Sequence, residues 1–309
     1  MKEKIKSQVR VISIDADHRI NDIYFINQMI GFAVGGSRYD EGYIFKTADA
    51  GQTWNRIQEN AININTETGL QTLNAVHFYN DSIGQIVGHG GKILRTTNGG
   101  DNWSMIINGS WSTFSDIYMH SPTASSIVSN GAYSNGKIFT SSTAWYNFET
   151  DSLGFAARDI HFIDSNIGFI SGYGVIQKTT DGGNTYKILD IRNDYFFDMD
   201  FPTNTIGYVC GWEGGVYKTE DQGEKWKTVN PNNKVFGERQ HYENIDFINK
   251  NQGVVCGYNG HILYTNDGGE SWQKLETNTK ENFHSIYFYD EQTVFAGGEN
   301  GLFLELSIP

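Results

Sequence analysis

The sequence predicts an all-β chain closed into one seven-bladed β-propeller of four-stranded antiparallel blades, and three observations lead there. An octapeptide recurs five times: TADAGQTW (47–54), TTNGGDNW (96–103), TTDGGNTY (179–186), TEDQGEKW (219–226) and TNDGGESW (265–272). The copies stand about 40 to 50 residues apart or near twice that, a period that marks a repeat architecture. Between them, short runs alternate apolar with polar residues or are β-branched and aromatic, bounded by Gly, Asn, Asp or Ser, and no 3.6-residue period is sustained. Finally, seven inner segments align on Ile23, Val76, Ile117, Ile160, Met199, Ile245 and Ile286. Two positions later these carry Phe25, Phe78, Met119, Phe162, Phe201, Phe247 and Phe288.

Each unit reads as four strands, A to D from the axis outward. Strand A is written DIYFIN (22–27) or DIHFID (159–164); strand B ends in Gly, as in GFAVG (31–35) or IGYVCG (206–211); strand C is GGKILRT (90–96) or GGVYKT (214–219). The octapeptide is the C–D turn. Asp49, Asn98, Asp181, Asp221 and Asp267 accept N–H bonds inside it, and Gly supplies the positive φ that closes it. The final Trp or Tyr opens strand D with a large apolar side chain. The third unit, GKIFTSSTAWYNF (136–148), keeps the strand but lacks the Asp and the Gly of the turn. The seventh stops after strand C, at GLFLELSIP (301–309), and QVRVISID (8–15) is the candidate for its missing outer strand. The units then cover approximately 21–58, 73–107, 114–148, 157–189, 197–229, 242–275 and 283–307, with 8–15 closing the ring as one domain, 1–309.

The octapeptide is similar to the Asp-box, or bacterial neuraminidase repeat. The longer phrase, as in NIGFISGYGVIQKTTDGGNTY (166–186), most resembles the photosystem II assembly and stability factor family, over about residues 8–309. That resemblance implies the propeller fold and a scaffold or assembly role; the family assists assembly of a photosynthetic membrane complex. It specifies function less than fold, because such repeats also occur in sialidases, other glycoside hydrolases, sortilin-type receptors and non-catalytic scaffolds.

Composition narrows the partners. With 23 Lys and Arg against 36 Asp and Glu, the net charge of −13 excludes bulk electrostatic binding to nucleic acid or an anionic membrane surface. No apolar run reaches the ~18 residues of a membrane span. The start, MKEKIKSQVRV, lacks the hydrophobic segment of a secretory signal. Because these repeats are widespread in secreted and envelope proteins, an extracytoplasmic location is expected (periplasmic, secreted or lipid-anchored), the signal being absent from this sequence. Cys210 and Cys256 hold equivalent positions in neighbouring units and are expected as buried thiols, not a bridge.

Propeller topology places the A–B and C–D loops on one face and the B–C and D–A loops on the other. On the second face, His89, Tyr173, Trp212 and Tyr258 follow strand B at equivalent positions, with Tyr39 and Tyr133 further along their loops. They form either a partner-binding rim or ordinary packing between blades. A ring of Asp22, Asp116, Asp159 and Asp198, completed by Ala75, Asn244 and Ser285, precedes the aligned residue of strand A. It either binds a cationic group or does acid–base work, or it ties the backbone of adjacent blades. Arg158, Glu243 and His284 stand immediately before this ring. The variable D–A loops 58–72 and 230–241 belong to the same face.

A sialidase would need an arginine trio, a Tyr–Glu pair, an acid–base Asp and Arg-Ile-Pro. The nearest segment, His18-Arg19-Ile20-Asn21, lacks the Pro, and the eight arginines are scattered. No metal motif or phosphate-binding glycine loop is present, so no metal or cofactor is expected. The expectation is therefore a non-catalytic propeller binding a protein or carbohydrate partner. The alternative is a glycoside hydrolase using Asp116, Asp159 or Asp198 with Glu213.

Overall fold

The computed structural model describes residues 8–37, 41–58, 61–63, 70–131, 135–191, 194–229 and 240–308. They form seven separate antiparallel sheets arranged around a channel, each with strand A innermost. Blade 1, for example, runs Ile20–Phe25, Gly31–Gly36, Gly42–Thr47 and Asn55–Arg56. Blade 7 is closed by the opposite end of the chain: Gln8–Val11 pairs with Phe303–Ser307 in the register Val9↔Leu306 and Val11↔Leu304. One further bond, Ile12 N–H to the Phe303 carbonyl (2.8 Å), extends that seam.

Two details depart from the expected blades. The outer strand of blade 3 is Glu149–Ser152, beyond the expected end at 148. Blade 2 gains a fifth strand, Ile62–Asn63, which pairs in parallel with Trp103 and Ser104. Part of the 58–72 connection thus lies along the outer edge of a blade, where it covers an otherwise open strand.

Each octapeptide builds one turn from a shared set of bonds, the second and fourth without the hydroxyl bond because Asn102 and Lys225 stand where the first has Thr53. In the first, Thr47 Oγ1 donates to Asp49 Oδ1 (2.8 Å) and accepts the Gly51 N–H (2.9 Å), while Asp49 accepts both the N–H and the hydroxyl of Thr53. The glycine is required twice over. Gly100 has φ +75°, and a Cβ there would come 2.3 Å from the ring of Phe32 in the preceding blade. The turn of one blade therefore rests on strand B of its neighbour, and the turn's Trp103 meets the same Phe32 ring edge-on.

Blade 3 reaches this packing by a different route. Ser141 and Thr143 take the roles of Thr and Asp, accepting the N–H groups of Trp145 and Asn147. Trp145 occupies the glycine slot at φ +71°. The preceding blade carries Gln85 where blade 1 has Phe32, and the indole N–H of Trp145 donates to Gln85 Oε1 (3.2 Å) and Ser125 Oγ (3.0 Å). A side chain too large for the standard turn is accepted because its neighbour is smaller and polar.

The core lies between blades, as one apolar cluster per seam. Phe25, Trp54, Phe295 and Phe303, for instance, join blade 1 to blade 7 across the chain closure. Cys210 and Cys256 are buried free thiols within these seams.

Candidate functional site: the channel mouth

Every inner strand carries a β-bulge one residue before its aligned ring position. The extra residues are Asn21, Asn74, Ser115, Arg158, Phe197, Glu243 and His284. A bulge leaves its residue unpaired and re-aims its side chain. All seven line one polar cavity of about 550 Å³ at the channel mouth, on the face of the B–C and D–A loops.

The two halves of this ring differ. In blades 1 to 3 the bulge residues fasten the next blade: Asn21 Nδ2 donates to the Leu73 carbonyl, Asn74 Nδ2 to that of Phe114, and Ser115 Oγ to that of Ala157. In blades 4 to 7 they are larger and meet one another's loops. The Arg158 guanidinium lies 4.4 Å from the Phe197 ring centre, and its Nε donates to the Tyr195 hydroxyl. Phe197 stacks on Trp212, which touches His241 (centroids 4.2 Å) and meets Tyr258 edge-on (5.2 Å). Tyr173 joins at the far end through Tyr195. The result is a continuous ridge, Tyr173–Tyr195–Phe197–Trp212–Tyr258, with Arg158 lying over Tyr195 and Phe197 and His284 beside Tyr258 at one end.

His284 is held by two carboxylates, Glu243 on Nδ1 and Glu299 on Nε2. Burial would raise the pKa of Glu243. The hydrogen bond and charge of His284, with Arg19 and Arg158, outweigh it and hold that carboxyl below its ordinary range.

Below the bulges lies the aspartate ring, and its bonds run from blade to blade. Asp22 accepts the N–H of Val76 (2.8 Å), Asp116 that of Ile160 (2.9 Å), and Asp198 that of Ile245 (2.8 Å) together with the amide of Asn244. Asn244 continues the series by accepting from Ile286. Burial dominates their titration: Asp22 is raised to about 8, and Asp116, Asp159 and Asp198 are all raised. After burial, the nearby charges of Asp198 and Asp116 raise Asp159 further. These carboxyls serve as clasps between adjacent blades.

Glu213, the expected partner of these carboxyls in a hydrolytic pair, stands apart from them. Glu213 does not line the cavity; its backbone N–H is bonded to Asp194 on its own blade. Among the described residues no cluster of three or more His, Cys, Asp or Glu could hold a metal ion.

Of the residues singled out from sequence, Tyr173, Trp212 and Tyr258 belong to one ridge, Tyr173 being 47% exposed and the others half-buried. His89 lines the same cavity from blade 2, where Nδ1 meets Thr113 Oγ1 (2.8 Å), apart from the ridge. Tyr39 and Tyr133 lie outside the described residues, as does most of 230–241. Asp49, Asn98, Asp181, Asp221 and Asp267 each accept bonds within their own turns on the opposite face. Sequence reasoning missed Tyr195, Phe197 and His241. Phe197 could have been found, since it precedes Asp198 as Arg158 precedes Asp159.

A sequence model described as "Photosynthesis system II assembly factor YCF48" matches residues 1–111, 138–245 and 237–307. The chain belongs to that family. Among solved structures, "YCF48 bound to D1 peptide" superposes with a TM-score of 0.78 at 18% identity, covering 99% of this chain and 96% of that one. YCF48 from Cyanidioschyzon merolae gives 0.75 at 16% identity, covering 97% and 98%. A GH74 xyloglucanase from Xanthomonas campestris gives 0.75 at 10% identity, covering 96% of this chain and 53% of that one. At such identities these structures share the fold alone. No curated protein sequence matches this chain. No helix among the described residues is long and apolar enough to cross a membrane.

Proposed function

We propose that this protein is a non-catalytic assembly-type propeller that holds a segment of a partner protein at its channel mouth. The observation that carries the reading is the bulge ring: seven side chains are turned into one cavity, and blades 4 to 6 add an aromatic ridge beside it. Rigid aromatic side chains with a stacked guanidinium offer large contact area at small entropic cost, the composition of interface hot spots. A relative in the same family has been solved with a D1 peptide, which supports a peptide-like ligand here. The channel carboxyls are engaged in bonds between blades, which favours binding over hydrolysis.

The test is a fluorescence-anisotropy titration with a peptide selected from a displayed library against the full chain. Trp212→Ala and Tyr258→Ala should each weaken binding roughly 10-fold or more, with unchanged thermal stability. Binding that is indifferent to both variants would refute the mouth as the site. Turnover of chromogenic glycosides, abolished by Asp159→Asn or Asp198→Asn in a folded protein, would instead establish the hydrolase.

A further inference from the structure

The seam between blades 3 and 4 differs from the others in chemistry. In strand C, the position two before the turn's Thr or Ser is Phe45, Leu94, Phe139, Tyr217 or Leu263 in other blades, but Gln177 in blade 4. In strand B, the position that is Phe32, Phe169, Tyr208 or Phe295 in blades 1, 4, 5 and 7 is Ser126 in blade 3; blade 2 carries Gln85 there, but Trp145 fills that seam. Two apolar groups that would fill the seam are thus replaced by polar ones, and a cavity of about 750 Å³ opens there. It reaches the face of the octapeptide turns, remote from the channel mouth.

Its lining is built to hydrogen-bond. Gln177 is only 8% exposed, and its Oε1 makes no hydrogen bond within the protein; the buried Tyr186 hydroxyl also makes none. Both residues line the cavity. Leaving such groups buried without partners costs about 1–3 kcal/mol each, so a polar ligand would gain by meeting them. Ser126 Oγ lies 2.9 Å from His120 Nε2 in the same wall. Burial raises the pKa of Tyr186, which keeps its hydroxyl as a donor. Phe148 adds an aromatic surface at the rim, beside the exposed Glu149 and Asp151.

This pattern selects the ligand. Gln177 Oε1 can only accept, whereas the Tyr186 hydroxyl can donate, so a ligand that satisfies both in these roles carries donors and acceptors. No Lys or Arg lines the cavity and two carboxylates rim it, which excludes an anion. The volume lies within the ~300–1,000 Å³ of small-ligand pockets. We infer that the seam between blades 3 and 4 is a binding site for a neutral sugar unit, with Gln177 and Tyr186 meeting ring hydroxyls and Phe148 contacting the apolar sugar face. This site is independent of the channel mouth.

The experiment is saturation-transfer NMR on the full chain with cellobiose, chitobiose, maltose and lactose, and with spermidine as a cationic probe. At least one disaccharide should receive saturation. Gln177→Leu, which installs the kind of residue other blades use, should abolish the signal while melting at or above the parent temperature. Tyr186→Phe should weaken binding roughly tenfold. Transfer to none of the sugars, transfer to spermidine alone, or a sugar signal that survives in folded Gln177→Leu would each overturn the assignment.

Discussion

Two sets of aspartates divide this molecule, and they titrate in opposite directions although both accept backbone N–H groups. On the turn face, Asp181 is exposed and receives the hydroxyl and N–H of Thr185, with Thr179 adding a third donor; its pKa falls to about 2. In the channel, Asp22 accepts from Val76 and Ile23, yet burial carries it up to about 8. Similar hydrogen bonds produce contrary outcomes because desolvation acts on one set and hardly on the other. The turn carboxylates hold one blade's own loop as anions. The channel carboxyls join neighbouring blades and tend toward the neutral form.

The largest effect that would break this comparison is removal of a channel clasp. Asp198→Ala strands the Ile245 N–H and should cost about 1–3 kcal/mol in chemical denaturation, whereas Asp198→Asn keeps a neutral acceptor and should cost much less. If Asn were as harmful as Ala at neutral pH, the channel carboxyl would be acting as an anion.

The pH profile sharpens it further. A carboxyl raised in the folded state binds its proton more tightly there, so its contribution favours folding below the folded pKa and fades as pH rises. For Asp22 that window runs from 3.8 to about 8. For Asp181 the sign reverses: its contribution is present above 3.8 and is lost as pH falls toward about 2. Thermal melts should therefore show stability declining from mildly acidic pH toward pH 8, with a shallower decline in Asp22→Asn. An unchanged slope in that variant would contradict the burial argument.

The smallest effect belongs to the turns. Asp181→Ala should lower the melting temperature less than Asp198→Ala, and its penalty should shrink in strong acid, where the parent's carboxylate is also protonated. A penalty equal to that of the channel variant would erase the distinction.

The same contrast explains what could be read in the sequence. The turns, the blade count and the closure of blade 7 by residues 8–11 were legible because they repeat, and repetition reports shared mechanics. The bulges were hidden: Arg158 and Phe197 continue the strand pattern, and only the register with strand B reveals the inserted residue. Trp145 was hidden for another reason. Its fit depends on Gln85, 60 residues away in another blade, so the octapeptide alone reads as a lost turn. Gln177 looked like any polar strand residue until its column was seen to be apolar elsewhere. Departures from the repeat mark the candidate binding surfaces, and their meaning lies in neighbours that the period does not show.

The most direct test of the proposed function is site-specific photocrosslinking from one position on each face, in the presence of the selected partner peptide. A benzophenone side chain at Tyr173, on the mouth ridge, should form the adduct, and one at Tyr146, which is 90% exposed on the turn face, should not. An adduct from Tyr146 with none from Tyr173 would place the partner on the wrong side of the propeller and contradict the account.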